Sequence, residues 1–196
     1  LFGGTIDLLK DLEAFGITAH FADEVTPQNV EPLINERTRA VFAELIGNPK
    51  LDIVDIESVS NLAHRYNIPL IIDSTTATPY LVHPIDFGAD IVVHSTSKYI
   101  NGGGIWRNFG CCLAPFNAFL NSVGLETLGL RMECLCSNAL KLAQFFETCK
   151  DIEVNYPALE SSEYYALTQK LLKGKGGAIL TIRAGSKEKA FELINI

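Results

Sequence analysis

The chain has 196 residues, of which 47% are hydrophobic, and a formal net charge of -7 at neutral pH. That is ample apolar material for one generous domain or two small ones, and it excludes a disordered chain. With no block of basic residues, the acidic balance argues against nucleic acid or an anionic membrane as the main partner and directs attention to small molecules.

Five cysteines is an odd number, and a predominantly aliphatic chain of this size does not need disulfide staples, so reduced thiols in a cytoplasmic protein are expected. There is no basic segment followed by an apolar leader, and no apolar run reaches the length of a membrane span. Leu1 stands where an initiator methionine is expected and the chain stops abruptly at Ile196, from which we expect a fragment of a longer product.

Ile6 to Phe15 has helical spacing, with Gly16 as its stop. Thr18 to Phe21 reads as a short strand. Pro27 to Ile34 reads as a helical turn, and Arg39 to Ile46 as a strand closed near Asn48 by Gly47-Asn48-Pro49. Ile56 to Tyr66 is an amphipathic helix with Asp55 at its N-cap, leading into a strand at Ile68 to Asp73 whose continuous apolar run suits burial on both faces. Asp86 to Ala89 is a connector, and Asp90 to His94 repeats the buried-strand pattern. Strands separated by helices are the signature of a mostly parallel α/β sheet, which binds ligands at the carboxyl ends of its strands. After Asn101-Gly-Gly-Gly104, helix formers become frequent from Ala118 and dominate from Glu126 to Cys149. Lys150 to Pro157 reads as a boundary, followed by a helix at Tyr164 to Leu172, a strand at Ala178 to Arg183 and a helix from Lys187. The expected division is a large domain over residues 1–146 and the start of a smaller α+β domain over 147–196.

Two strand ends carry the chemistry. Pro69-Leu-Ile-Ile-Asp73 delivers a carboxylate, and Ile91-Val-Val-His94-Ser95-Thr96-Ser97-Lys98 delivers a lysine. Those are the two groups that hold and activate a pyridoxal 5'-phosphate (PLP) ring: the amine attaches to the aldehyde carbon, and the carboxylate partners the pyridinium nitrogen. Singly, Lys98 reads as a surface lysine and Asp73 as a turn cap. One strand-connector-strand step separates them, however, so both can emerge on the same sheet edge. Ser95 and Ser97 flank the lysine, and their hydroxyls can donate to phosphate oxygens; they also read as ordinary turn serines. Asn48 closes another strand and can hydrogen-bond the ring's phenolic oxygen, although Asn before Pro is also common in turns for conformational reasons.

Taken together, Asn48-Pro-Lys-Leu, Asp73-Ser-Thr-Thr-Ala-Thr-Pro79, Ser95-Thr-Ser-Lys98-Tyr-Ile-Asn-Gly and Arg131-Met132 resemble the cystathionine γ-synthase-like, Cys/Met-metabolism PLP enzymes of aminotransferase fold type I. Ala114-Pro-Phe-Asn-Ala-Phe-Leu120 and Gly124-Leu-Glu-Thr-Leu-Gly-Leu-Arg-Met132 look most like the O-acetylhomoserine sulfhydrylases of that family. The resemblance implies Lys98 as the cofactor lysine, Asp73 as pyridinium partner, Ser95 and Ser97 as phosphate ligands and Asn48 as a contact of the ring oxygen. Phe2 stands where the family usually stacks a tyrosine on the ring; phenylalanine keeps the stacking but has no hydroxyl to donate a proton.

By the same resemblance, the upstream phosphate loop, the intersubunit arm and the carboxy-terminal arginine that binds the substrate carboxylate lie outside the chain. A long family segment is also absent after Ile105-Trp106, so that 106/107 is expected to join two non-adjacent pieces. The implied assembly is a homotetramer built as a dimer of dimers. The implied reaction is γ-replacement on O-acetyl-L-homoserine by sulfide or a thiol, in methionine biosynthesis. Cystathionine γ-synthase, cystathionine γ-lyase and methionine γ-lyase keep the same cofactor and remain alternatives. A non-catalytic nucleotide-binding or regulatory α/β domain is the alternative of a different class.

Other motifs carry less. Cys111-Cys112 and Cys134-Leu-Cys136 lack the ligand spacing of a zinc site, and no metal is expected. Gly174-Lys-Gly-Gly177 lacks the spacing and terminal Lys-Ser/Thr of a phosphate loop and reads as a turn. His94, beside the candidate site, reads as a core or supporting residue.

Overall fold

The computed structural model describes residues 1–101 and 114–194, so Cys111-Cys112 and the 106/107 junction lie outside the described residues. The described chain divides into two compact units.

Unit 1 comprises residues 1–48, 52–74 and 83–94. Among the described residues its sheet has three strands, β1 (Val41–Glu44), β2 (Leu70–Asp73) and β3 (Ile91–Val93), in the order β1-β2-β3 and parallel throughout. Its helices are α1 (Gly3–Asp11), α2 (Pro27–Val30) and α3 (Ile56–Arg65). Parallel pairing needs a crossover, and α3 supplies the one between β1 and β2. It buries Ile56, Val59, Leu62 and Ala63, beside the buried sheet residues Val41, Ala43, Leu70 and Ile72.

Asp90 fixes the β2–β3 register at its start. Its carboxylate accepts from the Leu70 amide at 2.8 Å and contacts His64 Nε2 at 2.9 Å, while its own amide donates to the Leu70 carbonyl at 3.0 Å. The Leu70 amide first, then His64, holds the carboxyl below its usual range.

Several expectations for unit 1 are corrected. Residues 18–21 form no strand: the segment alternates apolar and polar residues but pairs with no strand among the described residues. β1 ends at Glu44, earlier than expected; Ile46 instead makes an antiparallel bridge to Ile53, and Asn48 sits in an exposed turn. The Asp52 carboxylate packs against Gly47 in that turn, so a Cβ there would lie 2.0 Å from Asp52 Oδ1 and the carboxylate would have to move. Asp55 does occupy the N-cap position of α3, yet its side chain makes no capping hydrogen bond. β3 is not buried on both faces, since Ile91 is 46% and Val93 38% exposed.

Unit 2 comprises residues 49–51, 75–82 and 95–196, within which α4 (Thr78–Leu81), α5 (Pro115–Glu126), α6 (Leu128–Glu147), α7 (Tyr165–Leu172) and α8 (Lys187–Ile194) are helical. β4 (Glu153–Asn155) pairs antiparallel with β5 (Thr181–Arg183). β4 lies inside the segment that reads as a boundary in the sequence. Here the core gathers Ala139 and Ala143 of α6 around Tyr156, Ala158 and Leu159. The buried Tyr156 hydroxyl donates to the Gly177 carbonyl at 2.9 Å, which ties down the glycine-rich turn, and burial pushes its pKa far up. Among the described residues, no helix is long and apolar enough to cross a membrane.

Ile72 is fully buried whereas Ile85 is 55% exposed. Ile72→Ala is therefore expected to cost about 2–5 kcal/mol in urea denaturation, and Ile85→Ala to stay within roughly 0.5 kcal/mol.

Candidate active site

The register of the sheet sets the candidate residues of unit 1. Glu44 pairs with Asp73, and Asp73 with Val93, so the carboxyl ends of the three strands lie level at one edge. Asp73 is half-buried there. Phe2 reaches the same edge: its amide donates to Glu44 Oε1 at 2.6 Å, and its ring lies over Gly4, where a Cβ would come within 2.8 Å of it. Glu44 was not legible as a site neighbour, because only the strand register places it opposite Asp73.

Beyond Asp73 the two central strands stay linked. The Ser74 amide donates to the Val93 carbonyl at 3.0 Å, and the His94 ring meets the Ser74 carbonyl through Nδ1 at 3.1 Å. A carbonyl can only accept, so Nδ1 carries the proton, and in the neutral ring Nε2 is an acceptor. Burial is the main influence on His94 and holds its pKa below the ordinary value, opposed by the Ser74 hydrogen bond and the Asp73 carboxylate. Ser74 Oγ is itself buried and has no hydrogen-bond partner among the described residues.

Unit 2 carries its own group of candidate residues. The Ser95 amide donates to Thr75 Oγ1 at 2.7 Å, and the Ser95 and Ser97 hydroxyls lie 2.9 Å apart. The Lys98 amide donates to the Ser95 carbonyl at 3.2 Å and the Asn101 amide to the Thr96 carbonyl at 3.1 Å, which closes the turn. One turn thus brings Ser95, Ser97 and the exposed Lys98 together. Asp73, Asn48 and Phe2 belong to unit 1.

These donors fit PLP by chemistry. Two adjacent hydroxyls suit a phosphate, an exposed primary amine in the same turn suits an aldehyde, and a carboxylate at a parallel strand's carboxyl end suits a pyridinium nitrogen. By contrast, a cavity of about 380 Å³ in unit 1, lined by Asn35, Thr38, Arg39, Tyr66 and Asn67 among others, adjoins the amino ends of β1 and β2 and contains none of these residues.

Because the folded pKa of His94 lies below its unfolded value, its contribution to stability is full above the unfolded value and declines as pH falls below it toward the folded pKa. NMR titration of the ring is expected to give a midpoint below about 6.5, and His94→Gln to remove that part of the pH dependence; a midpoint at or above that value contradicts it.

The profile of the Cys/Met metabolism PLP-dependent enzymes matches residues 1–107 and 103–195. The chain is 36% identical to the O-acetyl-L-homoserine sulfhydrylase of Leptospira meyeri, covering 100% of the chain and 58% of that protein. It is also 36% identical to the L-methionine gamma-lyase of Treponema denticola, covering 100% and 55%. It superposes on the crystal structure of a putative O-acetylhomoserine (thiol)-lyase from Campylobacter jejuni containing N'-pyridoxyl-lysine-5'-monophosphate, with a TM-score of 0.91 and 31% identity over 100% of the chain and 62% of that structure. For the O-acetylhomoserine sulfhydrylase of Wolinella succinogenes the TM-score is 0.89 and the identity 32%, over 100% and 67%. The chain therefore spans little more than half the length of the curated relatives named here. Its architecture is the α/β fold type I of PLP-dependent enzymes, its cofactor is PLP, and the chain belongs to the Cys/Met metabolism PLP-dependent enzyme family.

Proposed function

We propose that the protein catalyses γ-replacement on O-acetyl-L-homoserine, using sulfide or a thiol to give homocysteine or a thioether, as a step of methionine biosynthesis. The observation that carries this reading is the Ser95–Lys98 turn, which presents a lysine beside paired hydroxyls 2.9 Å apart, in a chain similar along its whole length to O-acetylhomoserine sulfhydrylases.

PLP, when bound, supplies an electron sink that lowers the cost of removing protons from the amino-acid carbons. Ser95 and Ser97 would hold its phosphate, Asp73 would keep a proton on the pyridinium nitrogen, and Asn48 and Phe2 would serve the ring oxygen and the ring face. Lys98 would be its covalent anchor. Lys98 Nζ would take the Cα proton of the bound substrate and then carry a proton from Cβ. Acetate leaves Cγ, the sulfur nucleophile adds to Cγ, and return of the protons to Cβ and Cα gives a thiol or thioether plus acetate. Phe2 moves no proton in this scheme.

From the family resemblance we assign residues 1–146 to the PLP-binding large domain and 147–196 to the start of a C-terminal domain. We also assign 106/107 as a junction of non-adjacent pieces. The family profile matches in two stretches that meet there, and the alignment to the Leptospira protein runs over 258 residues against 196 in the chain. The proposed protein is cytoplasmic and acts as a homotetramer.

A second reading, methionine γ-lyase, is favoured by the equal identity to the Treponema enzyme. Product analysis separates the two. O-acetyl-L-homoserine with sulfide is expected to give homocysteine and acetate, and methionine alone little turnover; efficient release of methanethiol from methionine favours the lyase. Lys98→Ala is expected to lower either turnover by at least about 10²–10⁴-fold, and near-normal activity would sink the assignment.

A further inference from the structure

Arg131 lies on α6, yet its side chain reaches back to the lysine turn. Nη1 donates to the Tyr99 carbonyl at 2.6 Å, and Nη2 to the Ile100 carbonyl at 3.3 Å and the Gly124 carbonyl at 2.7 Å. Nε donates to Thr127 Oγ1 at 3.0 Å. The two residues after Lys98 are thus gripped by the same guanidinium that grips the end of α5.

Gly124 makes that grip possible. A Cβ there would lie 2.3 Å from the Ile100 carbonyl oxygen and 2.8 Å from Asn101 Cα, both backbone atoms that cannot swing aside. The helix can approach the lysine turn closely only because this position has no side chain. Ile100 is buried at the contact, whereas Lys98 is exposed, so the clamp holds the buried stem of a turn whose tip carries the amine.

We infer that Arg131 is a positioning residue for Lys98: by holding the Tyr99 and Ile100 carbonyls it fixes the backbone from which the lysine reaches the cofactor. This inference rests on the reading of Lys98 as the cofactor lysine. A guanidinium is required because its donors are a rigid planar fork spread over separate acceptors, and a lysine ammonium concentrates its donors at one point. Keeping the charge alone does not keep the clamp.

The test uses the PLP-loaded protein and the variants Arg131→Lys and Arg131→Ala, each first checked for a native circular dichroism spectrum. Both are expected to show a weakened visible band from the Lys98-linked cofactor and roughly 10- to 100-fold faster cofactor loss on dialysis. kcat is expected to fall by up to the order of 100-fold with the KM for the amino-acid substrate nearly unchanged. Millimolar guanidinium ion should restore part of the band in Arg131→Ala. Wild-type band, release rate and kcat in the folded variants overturn the inference. If Arg131→Ala does not fold, Arg131→Lys decides by the same readouts. A visible band that survives in Lys98→Ala overturns the Lys98 assignment itself, and this inference with it.

Discussion

The level register of the parallel sheet is the constraint on which the site depends. Asp90 sets it at one end, where its carboxylate takes the Leu70 amide and its amide returns the bond to the Leu70 carbonyl. Counting along from that lock, Asp73 falls opposite Val93 and Glu44. A slip of one residue would turn Asp73 to the other face and put Ile72 in its place. The pairing between β2 and β3 therefore does two things at once: it buries Leu70 and Ile72, and it presents a carboxylate at the carboxyl edge.

The chain leaves unit 1 for unit 2 at Ser74-Thr75 and again at His94-Ser95, directly after the carboxylate and directly before the lysine turn. Backbone and hydroxyl contacts hold the turn after His94, in which Lys98 is an exposed residue. Thr75 takes the Ser95 amide, the Ser95 and Ser97 hydroxyls meet each other, and Arg131 grips the carbonyls after Lys98. The segment that carries Lys98 is thus anchored on both sides of it. In the proposed reaction this anchoring gives the Lys98 amine a defined backbone position from which to act.

Much of the architecture was legible in the sequence because it rests on local signals. The Pro-Leu-Ile-Ile run gave β2, ending at Asp73, and helical spacing from Ile56 gave α3. The parts that were not legible depend on partners distant in the chain. The alternation at Thr18–Phe21 matches a strand, but a strand also needs a neighbour, and the pattern does not supply one. The apolar run at Ile91–Val93 suggested burial on both faces, yet neither the order of the strands nor what covers them can be read from periodicity. Glu44 joined the site's edge only through register. Arg131 stood out as part of a motif, but its work is donation to backbone carbonyls, and carbonyls leave no mark in a sequence.

The most direct test of Lys98 as the cofactor lysine is borohydride reduction of the PLP-loaded protein, followed by peptide mass mapping. A phosphopyridoxyl mass is expected on the peptide containing Ser95-Thr-Ser-Lys98, localised to Lys98. A label on another lysine, or reduction that leaves no covalent label, would contradict it.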